Sequence, residues 1–202
     1  MSNSRLYLAF FLMFVGNDGL FRLASGTDWI YGVDYLVKGV AFILLWQGRA
    51  TRLPDPKPTK PVGTLDIALW GAFAIVLNIL FDKAKAHAEI VMPVAKLFEW
   101  PAIDNSLLLT LDATFGLMLT AVVEELIFRR LAWHALAKRL PGETSRLIGA
   151  SLLFGLIHWG NGPWAVIATG LGGAALWLAY RRTGSLPLAI IAHYIINAIV
   201  FY

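Results

Sequence analysis

Cysteine is absent from the 202 residues. That removes disulfides, thiol nucleophiles and thiolate metal ligands, and says nothing of compartment. Charge is scarce too: Asp, Glu, Lys and Arg make up 15% of the chain, against about a quarter in soluble domains. HExxH does not occur, so the familiar zincin arrangement is excluded. No serine stands in a GxSG setting; GASL at 149–152 is the near miss. There is no internal repeat and no low-complexity tract. The first apolar run lacks a basic n-region beyond Arg5 and a small-residue cleavage site, so no cleavable signal peptide is expected.

What remains is apolar. Hydrophobic residues reach 58% and mean hydropathy is +0.65, the composition of a polytopic membrane protein. The net charge of +4 does not point to nucleic acid, because the basic residues stand in short clusters between apolar runs. Spanning helices need about 20 mostly apolar residues. Seven candidates satisfy or approach this: 6–24, 29–47, 64–81, 106–128, 147–159, 164–180 and 186–202. The expected fold is an all-α membrane helix bundle forming one domain, 1–202. Within it, 1–48 is an N-terminal two-helix unit, 49–63 a Pro-rich cytoplasmic linker, and 64–202 the bundle. Helix starts are signalled by Thr64, by Asp104 or Asn105, by Gly162 before Pro163, and by Ser185 before Pro187. The segment 83–99 mixes charged and apolar residues around Pro93 and is expected to lie at the interface as a broken amphipathic helix.

The basic residues suggest an orientation. With these spans twelve fall on one side, among them Arg5, Arg49, Arg52, Lys57, Lys60, Arg129 and Arg182. The other side has Lys83, Lys85 and Lys96. The positive-inside rule then predicts a cytoplasmic N-terminus and an outward C-terminus. The expected location is the bacterial cytoplasmic membrane.

A few polar residues interrupt the later spans. Glu124 and Glu125 end a long apolar run. A charged residue at a helix centre costs roughly 2.5–3.5 kcal/mol in the bilayer, so such groups are functional candidates. Glu125 and Arg129 are i,i+4 and can pair, which leaves Glu124 turned about 100° away. Phe154 with His158, and His193 with Asn197, repeat the same spacing. With Arg129, Arg146 and Leu186 as cytoplasmic boundaries, helical rise puts Glu124 roughly 8 Å deep, His193 roughly 10 Å and His158 roughly 18 Å. One water-filled pocket on the cytoplasmic side is expected to collect them.

These residues read EELIFR at 124–129, FGLIH at 154–158 and HYIIN at 193–197. The pattern EExxxR, FxxxH, HxxxN on successive helices resembles that of the CAAX protease and bacteriocin-processing (CPBP, or Abi) intramembrane proteases. The resemblance covers about 124–197; nothing before residue 100 contributes a motif. It implies a glutamate-type endopeptidase in which Glu124 with His158 activates water. Glu125 and Arg129 would hold the geometry, and His193 with Asn197 would stabilise the oxyanion. It also implies a membrane-associated protein or peptide substrate: a prenylated CAAX-like tail, a bacteriocin or signal-like peptide, or a C-terminal sorting signal.

Other readings stand beside this one. Glu124, His158 and His193 would make a His₂Glu zinc set; the reading without a cofactor is preferred. A proton-coupled transporter would also use intramembrane acids and histidines, and a non-catalytic immunity or assembly protein could share the scaffold. Asp18–Arg22 and Asp34–Lys38 are expected to neutralise each other; the alternative is that NDG at 17–19 breaks the first helix and forms a polar gate or recognition surface. Asp112 is a candidate for the same cavity as Glu124. Gly170, Gly172, Gly173 and Ala174 are expected to allow close helix packing, and His87 and His134 to be interfacial. Oligomeric state is left open.

Overall fold

The structure is a computed structural model that describes residues 2–48, 50–58 and 61–202. Arg49 and Lys60, counted above in the charge asymmetry, lie outside the described residues. Among the described residues seven helices follow one another: α1 (Asn3–Ala24), α2 (Trp29–Gln47), α3 (Thr64–Val91), α4 (Ser106–Leu136), α5 (Glu143–Leu156), α6 (Pro163–Thr183) and α7 (Leu186–Phe201). No strand occurs among the described residues. Five helices, α1, α2, α3, α4 and α6, are long and apolar enough to cross a membrane, whereas α5 has 14 residues and α7 has 16. The protein is an integral membrane protein.

The ends follow local chemistry. Asn105 Oδ1 accepts from the backbone N–H of Leu107 (2.9 Å) and Leu108 (3.0 Å) and so starts α4. Ser185 Oγ accepts from Leu188 N at 3.2 Å to start α7. α6 begins at Pro163, whose missing N–H costs nothing in the first turn. It ends on Gly184 in the left-handed region at φ 65°.

α4 is the axis of the bundle. It contains two π-helical stretches, Asp112–Gly116 and Leu126–Leu131, which flank the turn carrying Glu124 and Glu125. α1 packs against its second half and α2 against its middle, while α7 lies along the opposite side and α6 sits between α3 and α5. A single apolar cluster joins Phe10 and Phe14 of α1, Leu45 of α2, Ile127 and Phe128 of α4, Phe154 of α5 and Trp177 of α6. Large apolar side chains such as Leu12, Ile43, Leu65, Val76 and Leu107 face outward, as a lipid-contacting surface requires.

The α5–α6 contact depends on glycine. A Cβ on Gly155 would stand 2.5 Å from the Val166 carbonyl oxygen and 3.2 Å from Gly170 Cα. One on Gly173 would stand 2.7 Å from the Phe154 ring. The small residues of α6 do allow close approach.

Three expectations need correction. Residues 83–91 are not a separate interfacial helix; α3 continues through them to Val91, and 92–105 is irregular. Pro93 sets the limit only there, because charges at 82–89 do not interrupt the backbone ladder. Arg129 is no membrane boundary: it is fully buried and α4 runs on to Leu136, so Glu124 lies roughly 18 Å from that end by helical rise. Helix α1 also runs unbroken through 17–19. Within the linker, residues 50–58 are held against the bundle. Asp55 accepts from Arg130 Nε and Nη2 (2.8 Å each) and from the Tyr180 hydroxyl (2.8 Å), and Thr51 O accepts from Arg130 Nη1 at 2.7 Å.

Candidate active site

Glu124 and Glu125 part company as their helical spacing requires. Glu125 is fully buried and turned toward Arg129, whose Nε lies 2.9 Å from its Oε2; the contact is ionic rather than an aligned hydrogen bond. The other oxygen, Oε1, accepts from His193 Nδ1 at 2.9 Å. A carboxylate cannot donate, so Nδ1 carries the proton and Nε2 is the nitrogen left for chemistry. It points toward Glu124, whose Oε2 is 3.8 Å away, too far for a hydrogen bond. Glu124 Oε2 has no hydrogen-bond partner among the described residues.

His158 has the matching arrangement. It sits in the turn after α5, and Nδ1 donates to the Phe154 carbonyl at 3.0 Å. That fixes the tautomer and frees Nε2. Phe154 is the hub beneath the site. Its ring lies edge-on to His158 (5.2 Å between centroids) and His193 (6.1 Å), and the Arg129 guanidinium stands 4.9 Å from its centre. Phe128 closes the other side at 5.3 Å.

Glu124, His158, His193 and Asn197 all line one cavity of about 630 Å³. Glu125 and Arg129 stand behind it. Asp112, raised as a candidate, lines it too, accepting from the hydroxyls of Tyr35 (2.6 Å) and Tyr202 (2.5 Å). Among the described residues no group of three or more His, Cys, Asp or Glu side chains is placed to hold a metal ion. His87 and His134 are outside the cavity, and His134 Nε2 lies 2.9 Å from Pro54 O.

Residues 106–199 match the model of the type II CAAX prenyl endopeptidase Rce1-like family. Over these residues the chain is similar to the CAAX protease family. Neither the comparison with curated proteins nor that with solved structures gives a match. The similarity implies an intramembrane endopeptidase, and the matched span carries all seven motif residues.

Some features of this site were invisible in the sequence. The cavity does not open where expected. Its other lining residues include Asp82 and Glu89 at the end of α3, Trp100 and Pro101, and Tyr202. All lie at the end of the bundle opposite the N-terminus, the 50–58 segment and the α6–α7 turn. The pocket therefore faces away from the side that carries most of the basic residues. Segment 92–105 is tied over its rim by Tyr31 Oη donating to Pro101 O (2.8 Å) and by Leu97 N donating to Gly160 O (2.7 Å).

The N-terminal helices, which carry no family motif, also reach the cavity. Lys38 Nζ pairs with Asp34 at 2.7 Å and donates to Thr120 Oγ1 at 2.7 Å, one turn before Glu124. That pair was expected from its spacing. Asp18 does not pair with Arg22, which is exposed; its Oδ2 accepts from Gly160 N at 2.6 Å instead. The i,i+4 spacing could have found Lys38, but no local signal could have shown that Asp18 and Lys38 reach the cavity that holds Glu124.

Proposed function

We propose that the protein is a glutamate-type intramembrane protease that cleaves a peptide bond near the C-terminal membrane segment of an exported protein. The observation that carries this is the state of Glu124: a carboxylate 4% exposed, lining a cavity, with one oxygen unpartnered. Every other charged group of the α4 motif is paired. A water between Glu124 and the free Nε2 of His158 would satisfy both.

In this reading Glu124 takes a proton from that water as the oxygen attacks the carbonyl carbon. The carbonyl π electrons move to oxygen, and the oxyanion is received by the Asn197 amide and by His193. His193 donates from Nε2 in its protonated form, Nδ1 being held by Glu125. Collapse restores the carbonyl and breaks the C–N bond, and Glu124 returns its proton to the leaving nitrogen. The products are a carboxylic acid and an amine, and transfer of the acid's proton to the amine leaves a carboxylate and an ammonium group. General base catalysis of this kind contributes about 10²–10⁴ in rate, and one oxyanion donor about 10²–10³. Glu125 and Arg129 supply orientation.

The substrate side follows from the position of the mouth. Arg5, Arg52, Lys57, Lys138, Arg139 and Arg182 lie at the opposite end of the bundle, which the positive-inside rule assigns to the cytoplasm. In the bacterial cytoplasmic membrane the cavity then opens outward. A translocated protein held by its C-terminal span would present the scissile bond there; a prenylated tail on the cytoplasmic face would not.

Comparison of membrane fractions from cells holding active protein with those holding Glu124→Ala tests this. New C-termini outside a membrane segment are expected only with the active protein; identical C-termini in both would remove the reading. Activity should survive prolonged chelation, and loss that zinc restores would establish the metal alternative.

A further inference from the structure

α1 lies outside the matched span, yet it is fastened to the turn that carries His158. Trp159 Nε1 donates to Val15 O at 3.0 Å, and Gly160 N to Asp18 Oδ2 at 2.6 Å. A Cβ at Gly160 would meet Phe98 at 2.5 Å and Asp18 at 2.6 Å, so the backbone of this turn lies directly against the helix.

Asn17 stands between those two anchors. Its neighbours have evident tasks: Phe14 packs edge-on against Phe128 at 6.4 Å, and Asp18 holds Gly160. Asn17 lines the cavity shared by Glu124, His158, His193 and Asn197, is 4% exposed, and its Oδ1 has no hydrogen-bond partner among the described residues. A buried carboxamide with an open acceptor loses stability unless something fills the valence. A packing role at this site would be served better by an apolar side chain.

We propose that Asn17 is a substrate-binding residue, its carboxamide pairing with a main-chain amide of the extended peptide beside the scissile bond. A primary carboxamide presents an acceptor and a donor side by side, the complement of a peptide unit. A polypeptide unwound to reach an intramembrane site has lost its own ladder, and its N–H and C=O groups have no bulk water to turn to. Asn17 supplies one such partner. It recognises backbone and not side chain, and it is held at the catalytic turn by the two bonds from α1. The assignment rests on the protease reading above.

The probe is a synthetic peptide spanning the new C-terminus mapped in the membrane comparison, used with the full-length protein in nanodiscs. Asn17→Leu replaces a buried, unpaired amide with an apolar group of similar size, so its thermal midpoint should hold or rise. Its KM should rise roughly tenfold, the loss expected for one hydrogen bond, with the effect on kcat smaller than that on KM. On the Glu124→Gln background the Kd of the uncleaved peptide should weaken by the same factor, and Asn17→Gln should recover part of it. An unchanged KM and Kd in Asn17→Leu would overturn the assignment, as would a fall in kcat alone. If Glu124→Gln cuts the peptide as fast as the unaltered protein does, the glutamate mechanism fails, while the Kd comparison still decides Asn17.

Discussion

His193 Nδ1 rests 2.9 Å from Glu125 Oε1, so an imidazole on the last helix is oriented by a carboxylate that never touches the cavity. The two adjacent glutamates thereby do different work. Glu125 is consumed by Arg129 and His193, and Glu124 is left open. Each of the following outcomes depends on that division or on the packing that enforces it.

Glu124→Gln and Glu125→Gln should fail in different ways. The first keeps the shape of an unpartnered side chain, so stability should change little while cleavage falls by at least about 10². The second leaves the fully buried Arg129 without its counter-ion, a loss of about 3–5 kcal/mol when one member of a buried pair is removed. Thermal unfolding and turnover measured on both variants check this. Equal destabilisation by the two would refute the division of roles.

Lys38 and Asp34 form a buried pair from helix α2, with side chains 10% and 9% exposed. Lys38→Met should destabilise by about 3–5 kcal/mol because Asp34 is stranded. Adding Asp34→Leu should restore most of that stability, since two apolar groups remove both desolvation penalties. A double variant no more stable than Lys38→Met would show that the pair is not an isolated unit.

Gly155→Ala should lower stability by about 1–3 kcal/mol, the usual range for overpacking. The added methyl meets the Val166 carbonyl oxygen, which is backbone and cannot step aside. Because α5 carries Phe154 under both imidazoles, activity should fall with it. A thermal midpoint unchanged from the parent protein would mean α5 and α6 are further apart than described.

Orientation can be read directly because the chain has no cysteine. Lys96 and Lys138 are exposed at opposite ends of the bundle. In intact cells a membrane-impermeant maleimide should label Lys96→Cys, and Lys138→Cys only after permeabilisation. The reverse pattern would turn the cavity to the cytoplasm and remove exported proteins as substrates.

Some of this was legible in the chain. The i,i+4 pairs Glu125–Arg129, Asp34–Lys38 and Phe154–His158 needed only helical geometry, and each is in contact in the structure. The caps at Asn105 and Ser185 were equally local. The run past Lys83 misled, because charge density argued for an interface while the backbone of α3 simply continued to Val91. Arg129 misled for a related reason: a basic residue near the end of an apolar run usually marks the membrane boundary, and here its counter-ion allowed it to be buried.

The sequence alone settled that the chain is a membrane helix bundle, and it offered Glu124, His158, His193 and Asn197 as polar candidates within apolar runs, because periodicity and spacing are properties of neighbours in the chain. It could not say that Asn17, Asp18 and Lys38 join Glu124, that Asp55 is clasped by Arg130 and Tyr180, or to which face the cavity opens. Those facts rest on contacts between residues roughly seventy to well over a hundred positions apart. Only the packing of one helix against another brings such residues together.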